Sequence, residues 1–257
     1  METVLSRLRN EFGGWEHLTV KNVVRKINTY TSSRLCGYLA SAHRRNFIKT
    51  PVRLERWGSS FGGWMVPVEY LPQNALCYCA GVGEDTTFDE KLLQAGHTVY
   101  AFDPTPRAIK HVERRRIELG ERFHFTPVGI WSSQSALRLA IHADPRVESA
   151  SVLGIITSGK YLDVECKSVP QIMQEFGHGT PDLLKLDIEG AEYEALKSLL
   201  EKSILPRILM IDFDVPVWPT RIHRAVRQLR QRGYSLVAID QLNYTFLRLE
   251  DTPKIAA

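Results

Sequence analysis

The sequence predicts an α/β protein whose doubly wound, mostly parallel β-sheet carries helices on both faces. Three observations support this fold class. From residue 75 onward, short apolar segments typical of buried strands alternate with amphipathic helical segments. Three of the helical segments end at a glycine, which is a common helix stop signal: Gly96, Gly120 and Gly233. The last two apolar segments, YSLVAID and YTFLRLE, are separated by a short polar turn and predict an antiparallel hairpin.

The alternating elements follow one another in a regular order. Strands are expected at 75–81, 97–103, 122–130, 181–190 and 206–214, and helices at 84–96, 106–120, 191–202 and 221–234. Parallel strands place all their carboxyl ends at one edge of the sheet, and right-handed crossovers fix the winding of the chain. Ligands bind at that edge in such folds, so functional residues are expected directly after each strand.

The region before residue 61 lacks this alternation. Apolar residues at helical spacing predict an N-terminal helical cap over 1–60 and leave 61–257 for the sheet domain. The net charge is only +4, and the four cysteines suit neither a disulfide framework nor a zinc site. No apolar stretch of about 18 residues predicts a membrane span, and the charged start does not resemble a signal peptide. We therefore expect a cytoplasmic protein.

A glycine turn follows the first strand. The turn residues expected to contact a cofactor are Gly81, Val82, Gly83, Glu84 and Asp85. Two glycines at positions i and i+2 allow a tight turn and a close approach of a ligand to the backbone. A dinucleotide site needs a third glycine three residues later, where this chain has threonine, so NAD is disfavoured. The turn by itself would equally fit an ordinary strand-to-helix connection.

An acid ends the second strand at a suggestive distance from the glycine turn. Asp103 lies 22 residues after Gly81, close to the offset at which an acid binds ribose hydroxyls in these folds. Pro104, which follows it, is a further candidate cofactor contact. The alternative for Asp103 is a solvent-exposed loop acid. Gly129 and Ile130, at the end of the third strand, are expected near an adenine ring. A glycine turn and a ribose acid without the third glycine fit S-adenosylmethionine, which has a ribose but no phosphate.

The densest group of charged residues follows the fourth strand. Alternation along an extended chain places Lys185, Asp187 and Glu189 on one side. Some of the acids in this segment can instead stabilise the N-terminus of the following helix. Asp214 ends the neighbouring fifth strand. These four side chains are the candidate catalytic groups, and Asp187 is also a candidate cofactor contact.

The segments FGGW, CAGVGEDTTFD, VYAFDPTPRAI and DLLKLDIEGAEYEAL, in this order, resemble the FkbM family of S-adenosylmethionine-dependent methyltransferases over residues 56–250. The resemblance implies the class I methyltransferase fold, with a seven-stranded sheet that contains one antiparallel strand. It also implies methyl transfer to hydroxyl groups of sugars, glycolipids or secondary metabolites. The chain departs from the family pattern at Cys79, where an acid is usual, at Asp85, where a glycine is usual, and at 212–214, where many relatives have Glu-Phe-His.

Transfer of a methyl group to a hydroxyl benefits from a base that takes the hydroxyl proton. We expect Asp187 and Glu189 at the reacting face. Carboxylates can also bind Mg²⁺, but no metal is expected to be required. Trp64, which can stack on a sugar or pack under the cap, is a candidate substrate contact. His142 and Asp144 are two more, because they lie in the segment 135–161, which reads as an irregular binding loop.

Two other functions fit parts of the sequence. A row of arginines at 221–230 would suit an RNA methyltransferase, and the altered glycine motif would suit a non-catalytic binding module. A solvated helix face explains the arginines more simply, so we expect a small-molecule hydroxyl acceptor and no nucleic-acid partner. The sequence leaves a homodimer open.

Overall fold

The computed structural model describes residues 20–49, 51–142, 150–151, 157–213 and 218–249. The helices are α1 (Val20–Phe47), α2 (Thr87–Gln94), α3 (Pro106–Leu119), α4 (Val169–Phe176), α5 (Glu192–Glu201) and α6 (Pro219–Gln231). The first strands are β1 (Glu55–Trp57), β2 (Trp64–Val66), β3 (Leu76–Ala80), β4 (Thr98–Phe102), β5 (Phe123–Thr126), β6 (Gly129–Ile130) and β7 (Ser135–His142). The remaining strands are β8 (Ala150–Ser151), β9 (Thr157–Lys167), β10 (Leu183–Leu186), β11 (Ile208–Asp212), β12 (Tyr234–Asp240) and β13 (Asn243–Arg248).

The main sheet has seven strands in the order β12-β13-β11-β10-β3-β4-β5. The strands β11, β10, β3, β4 and β5 pair in parallel, whereas β13 is antiparallel to both β11 and β12. This confirms the predicted fold class, including the closing hairpin. The strand order reverses between β3 and β10, because the chain proceeds outward from β3 in one direction and from β10 in the other. A crevice for a ligand forms at such a switch point.

The strands of the sheet centre are buried on both faces. In β3, Cys77 and Cys79 pack into the core on one face, and Tyr78 and Ala80 pack into the core on the other. Each is at most 1% exposed. This explains why the segment reads as a continuous apolar run rather than an alternating one. None of the four cysteines, all of which lie in the described ranges, forms a disulfide.

A second sheet replaces the irregular segment expected at 135–161. It has the order β6-β9-β7-β8, and β7 pairs with β9 in antiparallel register. The prediction was wrong for the described part: Leu137, Arg138 and Leu139 alternate between apolar and polar, which is a short strand pattern. Leu137 and Leu139 face one side, and the exposed Arg138 between them forms an ion pair with Asp163 of β9, with Nε 2.7 Å from Oδ1. The third predicted strand also divides: β5 stays in the main sheet and β6 joins this one.

The long helix α1 is attached to the hairpin side of the main sheet. His43 lies at the contact: its Nδ1 is 3.2 Å from the Tyr244 hydroxyl and its Nε2 is 3.1 Å from Nδ1 of His223 on α6. Burial and the nearby His223 lower the pKa of His43 to about 4, so the ring is neutral near pH 7. Arg44 donates to the carbonyl of Ile239 on β12. Residues 1–19 of the predicted helical cap lie outside the described residues. None of the helices in the described ranges has the length and hydropathy needed to cross a membrane.

Candidate active site

A cleft of about 640 Å³ opens at the carboxyl ends of β3, β4 and β10. Its volume falls within the usual range for small-molecule sites. The residues predicted as cofactor contacts all line it: Gly81, Val82, Gly83, Glu84, Asp85, Asp103, Pro104, Gly129, Ile130 and Asp187. Lys185 and Glu189 line it as well. The structure therefore brings together side chains that are separated by more than a hundred positions in the sequence.

The glycine turn is in backbone contact with the segment after β10. Gly81 has a φ of +85°, and a Cβ atom at this position would lie 1.7 Å from the Asp187 carbonyl oxygen. Its own carbonyl accepts a hydrogen bond of 2.7 Å from Lys185 Nζ. Only glycine satisfies both the backbone conformation and the lack of space.

Asp103 holds the glycine turn from the neighbouring strand. Its Oδ2 accepts hydrogen bonds from the amides of Val82 and Gly83, at 3.0 and 2.9 Å. Its Oδ1 accepts from the amide and the hydroxyl of Thr105, at 2.8 and 2.6 Å. These four bonds use the whole acceptor capacity of a carboxylate. A ribose hydroxyl would have to share or displace one of them, so the ribose role of Asp103 stays a prediction.

Asp85 connects the glycine turn to the loop at 58–63. Its Oδ1 accepts from the amide and hydroxyl of Thr87, and its Oδ2 accepts from the Ser59 hydroxyl at 2.5 Å. Burial raises the pKa of Asp85, but the hydrogen bonds from Ser59 and Thr87 more than offset this and lower it. The loop is thereby fixed beside the cleft. It carries Phe61, which lines the cleft and is 94% exposed.

Phe61 was not predicted as a cleft residue, and the prediction that Trp64 contacts a substrate was wrong. Trp64 is fully buried in the core and does not line the cleft, so its ring is not available to stack on a substrate. The cause is the pairing of β2 with β1, which directs Trp64 and Val66 inward. An aromatic side chain among serines and glycines in this loop was the signal for Phe61.

Lys185 forms the floor of the cleft. Its Nζ lies 3.0 Å from Asp187 Oδ2 and 5.6 Å from the centre of the Trp64 ring. Burial lowers the pKa of Lys185, but the charges of Asp187 and Asp89 outweigh that effect and raise it. The ammonium group therefore stays charged and holds the two strand ends together, which leaves it unsuited to act as a base.

The two glutamates that follow β10 have different surroundings and different roles. Glu192 is fully buried and accepts hydrogen bonds from the amides of Ile188 and Gly190, so it supports the turn and the start of α5. Glu189 has a φ of +54° and lines the cleft. Burial, followed by the charges of Asp187 and two other acids, raises the pKa of Glu189 to about 7. Glu189 therefore changes its charge near neutral pH.

A group of apolar side chains forms one wall of the cleft. Its side chains come from the second sheet: Ile130, Leu137, Leu139, Val164 and Cys166. Sequence reasoning found only Ile130 of this set, because the wall depends on the pairing of β6 and β7 with β9.

Asp89 is a further acid that the sequence reasoning missed. It lies in the first turn of α2, is 4% exposed and lines the cleft. Burial, only partly offset by Lys185, raises its pKa to about 6.

Three candidates cannot be placed in this cleft. Asp144 and Asp214 lie outside the described residues, as does the side chain of His142. Within the described ranges, no three His, Cys, Asp or Glu side chains are grouped in a way that could hold a metal ion.

The family model of the methyltransferase FkbM domain matches residues 73–236. This chain belongs to the FkbM methyltransferase family. Proteins called "Probable methyltransferase-like protein 24" are 26% identical, over 144 residues in Rattus norvegicus and 145 in Homo sapiens. Each match covers 55% of this chain and 33% of the relative, so the chain spans about a third of the length of these relatives.

Two solved structures show a distant likeness. The methyltransferase FkbM from Methylobacillus flagellatus is 12% identical with a TM-score of 0.43, over 67% of this chain and 43% of that one. Magnesium protoporphyrin IX methyltransferase from Synechocystis, with bound S-adenosylmethionine, is 14% identical with a TM-score of 0.37, over 95% and 89% of the two chains. Neither likeness is close enough to transfer details of a site. The family and the observed strand order support methyl transfer from S-adenosylmethionine.

Proposed function

We propose that the protein transfers a methyl group from S-adenosylmethionine to a hydroxyl of a small molecule, such as a sugar, glycolipid or secondary metabolite. The negative charge of the cleft is the observation that supports S-adenosylmethionine as the methyl donor. Six acids line it: Glu84, Asp85, Asp89, Asp103, Asp187 and Glu189. Among the described residues, Lys185 is the one basic side chain that opposes them. S-adenosylmethionine is a cation at neutral pH, whereas dinucleotides are anions, so the field of the cleft favours the former.

The shape of the cleft supports one orientation of the cofactor. The glycine turn at 81–83 can lie under the methionine portion, because its backbone is open to close approach. The apolar wall that contains Ile130 and Leu137 suits the adenine ring. The ribose then lies between them, beside Asp103. This orientation directs the sulfonium toward the acidic turn at 187–189.

Glu189 is the proposed general base. The acceptor oxygen attacks the methyl carbon in line with the carbon–sulfur bond, which breaks and leaves its electron pair on sulfur. The hydroxyl proton passes to the Glu189 carboxylate, whose pKa of about 7 suits proton transfer near neutral pH. Holding the two reacting atoms in line supplies much of the rate. Asp187 is the weaker candidate because Lys185 already neutralises it.

Phe61 is the proposed acceptor contact. A large aromatic ring that is almost fully exposed on a braced loop at the mouth of a cleft commonly marks a binding surface. Its face can stack on a sugar ring or another flat apolar group.

Calorimetric titration tests the cofactor part of the proposal. We expect S-adenosylmethionine to bind and NAD not to bind. The Asp163→Asn variant, which alters an exposed ion pair on β9, should bind as the unaltered protein does. Absence of S-adenosylmethionine binding at millimolar concentration would reject the proposed function.

Methyl transfer is then measured with methyl-labelled S-adenosylmethionine and a panel of hydroxyl compounds. For an accepted compound, kcat/KM should rise with pH through about 7 and become flat in Glu189→Gln. An unchanged pH profile in that variant would reject Glu189 as the base. Cofactor binding without transfer to any compound would favour a binding module. Transfer of the labelled methyl group to RNA would favour the RNA methyltransferase alternative. Against that alternative, two of the arginines on α6 already pack on aromatic rings: Arg221 on Tyr193 and Arg230 on Phe47.

A further inference from the structure

The end of β3 has no charge where the family usually places an acid. The residue there is Cys79, which is 1% exposed and packs beside Asp89. Burial and the nearby carboxylate of Asp89 raise the pKa of the Cys79 thiol well above its usual value, so the thiol stays neutral. A cationic group that met an acid at this point in other family members would meet none on β3 of this chain.

Asp89 supplies a carboxylate at the same place from a different element. It lies in the first turn of α2, directly after the glycine turn, and its carboxyl group is beside the Cys79 thiol. It is 4% exposed and lines the cleft. The acid missing from the strand is therefore replaced by one from the helix.

One oxygen of Asp89 lacks a partner. Among the described residues, no hydrogen-bond donor reaches Asp89 Oδ1. The nearby Lys185 does not fill this role: its ammonium group donates to the Gly81 carbonyl and pairs with Asp187. Buried carboxylate oxygens are normally hydrogen-bonded, so an orphan at the floor of a ligand cleft indicates a donor that arrives with the ligand.

We propose that Asp89 accepts the ammonium group of the methionine portion of the cofactor, in place of the acid usual at position 79. This inference rests on the proposed use of S-adenosylmethionine. The ammonium group is the donor that fits, since it is a cation and belongs to the end of the cofactor that lies over the glycine turn. A rotation about the Cβ–Cγ bond of Asp89, which is a soft torsion, turns a carboxylate oxygen toward the cleft.

The test compares two ligands and two variants by calorimetry. S-adenosylhomocysteine carries the ammonium group, whereas 5′-methylthioadenosine keeps the adenosine and the sulfur but lacks the amino-acid portion. Asp89→Asn should weaken S-adenosylhomocysteine binding at least about tenfold and change 5′-methylthioadenosine binding less than about twofold. Glu90→Gln, on the same helix but outside the cleft, is the matched control and should change neither.

Thermal unfolding of the unliganded variant separates a binding role from a structural one. Because Asp89 is buried with an orphan oxygen, neutralising it should leave the Tm of the free protein unchanged or higher. A lower Tm with equal losses for both ligands would show a structural role and overturn the proposal. Unaltered S-adenosylhomocysteine binding by Asp89→Asn would also overturn the proposal and would indicate that a buried water is the partner of Asp89 Oδ1.

A measurement on the unaltered protein does not depend on the folding of any variant. An S-adenosylhomocysteine analogue with a hydroxyl in place of the ammonium group should bind at least about tenfold more weakly than S-adenosylhomocysteine. Equal binding of the two would overturn the Asp89 proposal but leave the proposed function intact. Failure of the unaltered protein to bind S-adenosylmethionine and S-adenosylhomocysteine would overturn both.

Discussion

Replacement of Gly81 by alanine tests the contact between the glycine turn and the segment after β10. The new Cβ would lie 1.7 Å from the Asp187 carbonyl oxygen, so the two backbone segments would have to separate. Ordinary carbon–oxygen contact requires a shift of about 1.5 Å. Gly83→Ala is the matched control, since Gly83 also has a positive φ, of +57°, but its Cβ would meet no atom within 4 Å.

Both variants place an alanine at a positive φ, but only in Gly81→Ala does the new Cβ overlap another atom. A left-handed alanine costs about 1 kcal/mol, which is the whole effect expected for Gly83→Ala. The overlap adds about 1–3 kcal/mol in Gly81→Ala, for a total of about 3 kcal/mol. In a protein of this size, 1 kcal/mol corresponds to about 2–4 °C in Tm. We therefore expect a loss of about 3 °C for Gly83→Ala and about 9 °C for Gly81→Ala.

Differential scanning calorimetry, with and without S-adenosylmethionine, measures these losses. Gly81→Ala should also lose the stabilisation by the cofactor, because separation of the strand ends moves Lys185 and Asp187. Equal Tm values for the two variants would refute the close contact at Gly81. A Gly81→Ala protein that still gains the full stabilisation from the cofactor would refute its placement in the binding surface.

Three more predictions follow from the cleft. Asp103→Asn should lose about 2 kcal/mol of unfolding free energy in urea titrations, because a neutral side chain replaces an acceptor of four hydrogen bonds; an unchanged urea midpoint would contradict this. The protonated Glu189 carboxyl contributes stability that is complete below its unfolded pKa of 4.5 and is lost as pH rises through about 7. The Tm of Glu189→Gln should therefore rise relative to the unaltered protein over that interval, and a constant difference would argue against the raised pKa. Phe61→Ala should keep its unfolding free energy within about 0.5 kcal/mol because the ring is exposed, while the KM for an accepted hydroxyl compound rises; a large loss of stability would show that the ring packs in the fold.

The main sheet was predictable because local patterns determine it. Each strand is a short apolar run and each following helix an amphipathic segment, and the connection rules for parallel strands leave few arrangements. The glycine turn and the acid Asp103 were found for the same reason, since they directly follow β3 and β4 in the chain. Their meeting at one cleft follows from parallel pairing alone.

The second sheet and the partners of each side chain were not predictable in this way. Leu139 reaches the cleft only because β7 pairs with β9, and Trp64 turns inward only because β2 pairs with β1. The partners of Asp103 were not predicted either: the glycine turn donates to its Oδ2, and Thr105 donates to its Oδ1. Such contacts join segments that are distant in the sequence, so the spacing of apolar and polar residues within one segment does not predict them.

By itself, the sequence determined the fold class, the edge of the sheet at which the cleft opens and the family. Those properties depend on periodicity, on turn residues and on short motifs, all of which are local. The tertiary structure decided the state of each acid in the cleft: Asp103 and Glu192 hold backbone amides, Glu189 titrates near neutral pH, and Asp89 keeps an orphan oxygen. The physical reason is that hydrogen bonding, burial and neighbouring charge set the behaviour of a carboxylate, and each of these arises from residues that only the folded chain brings together.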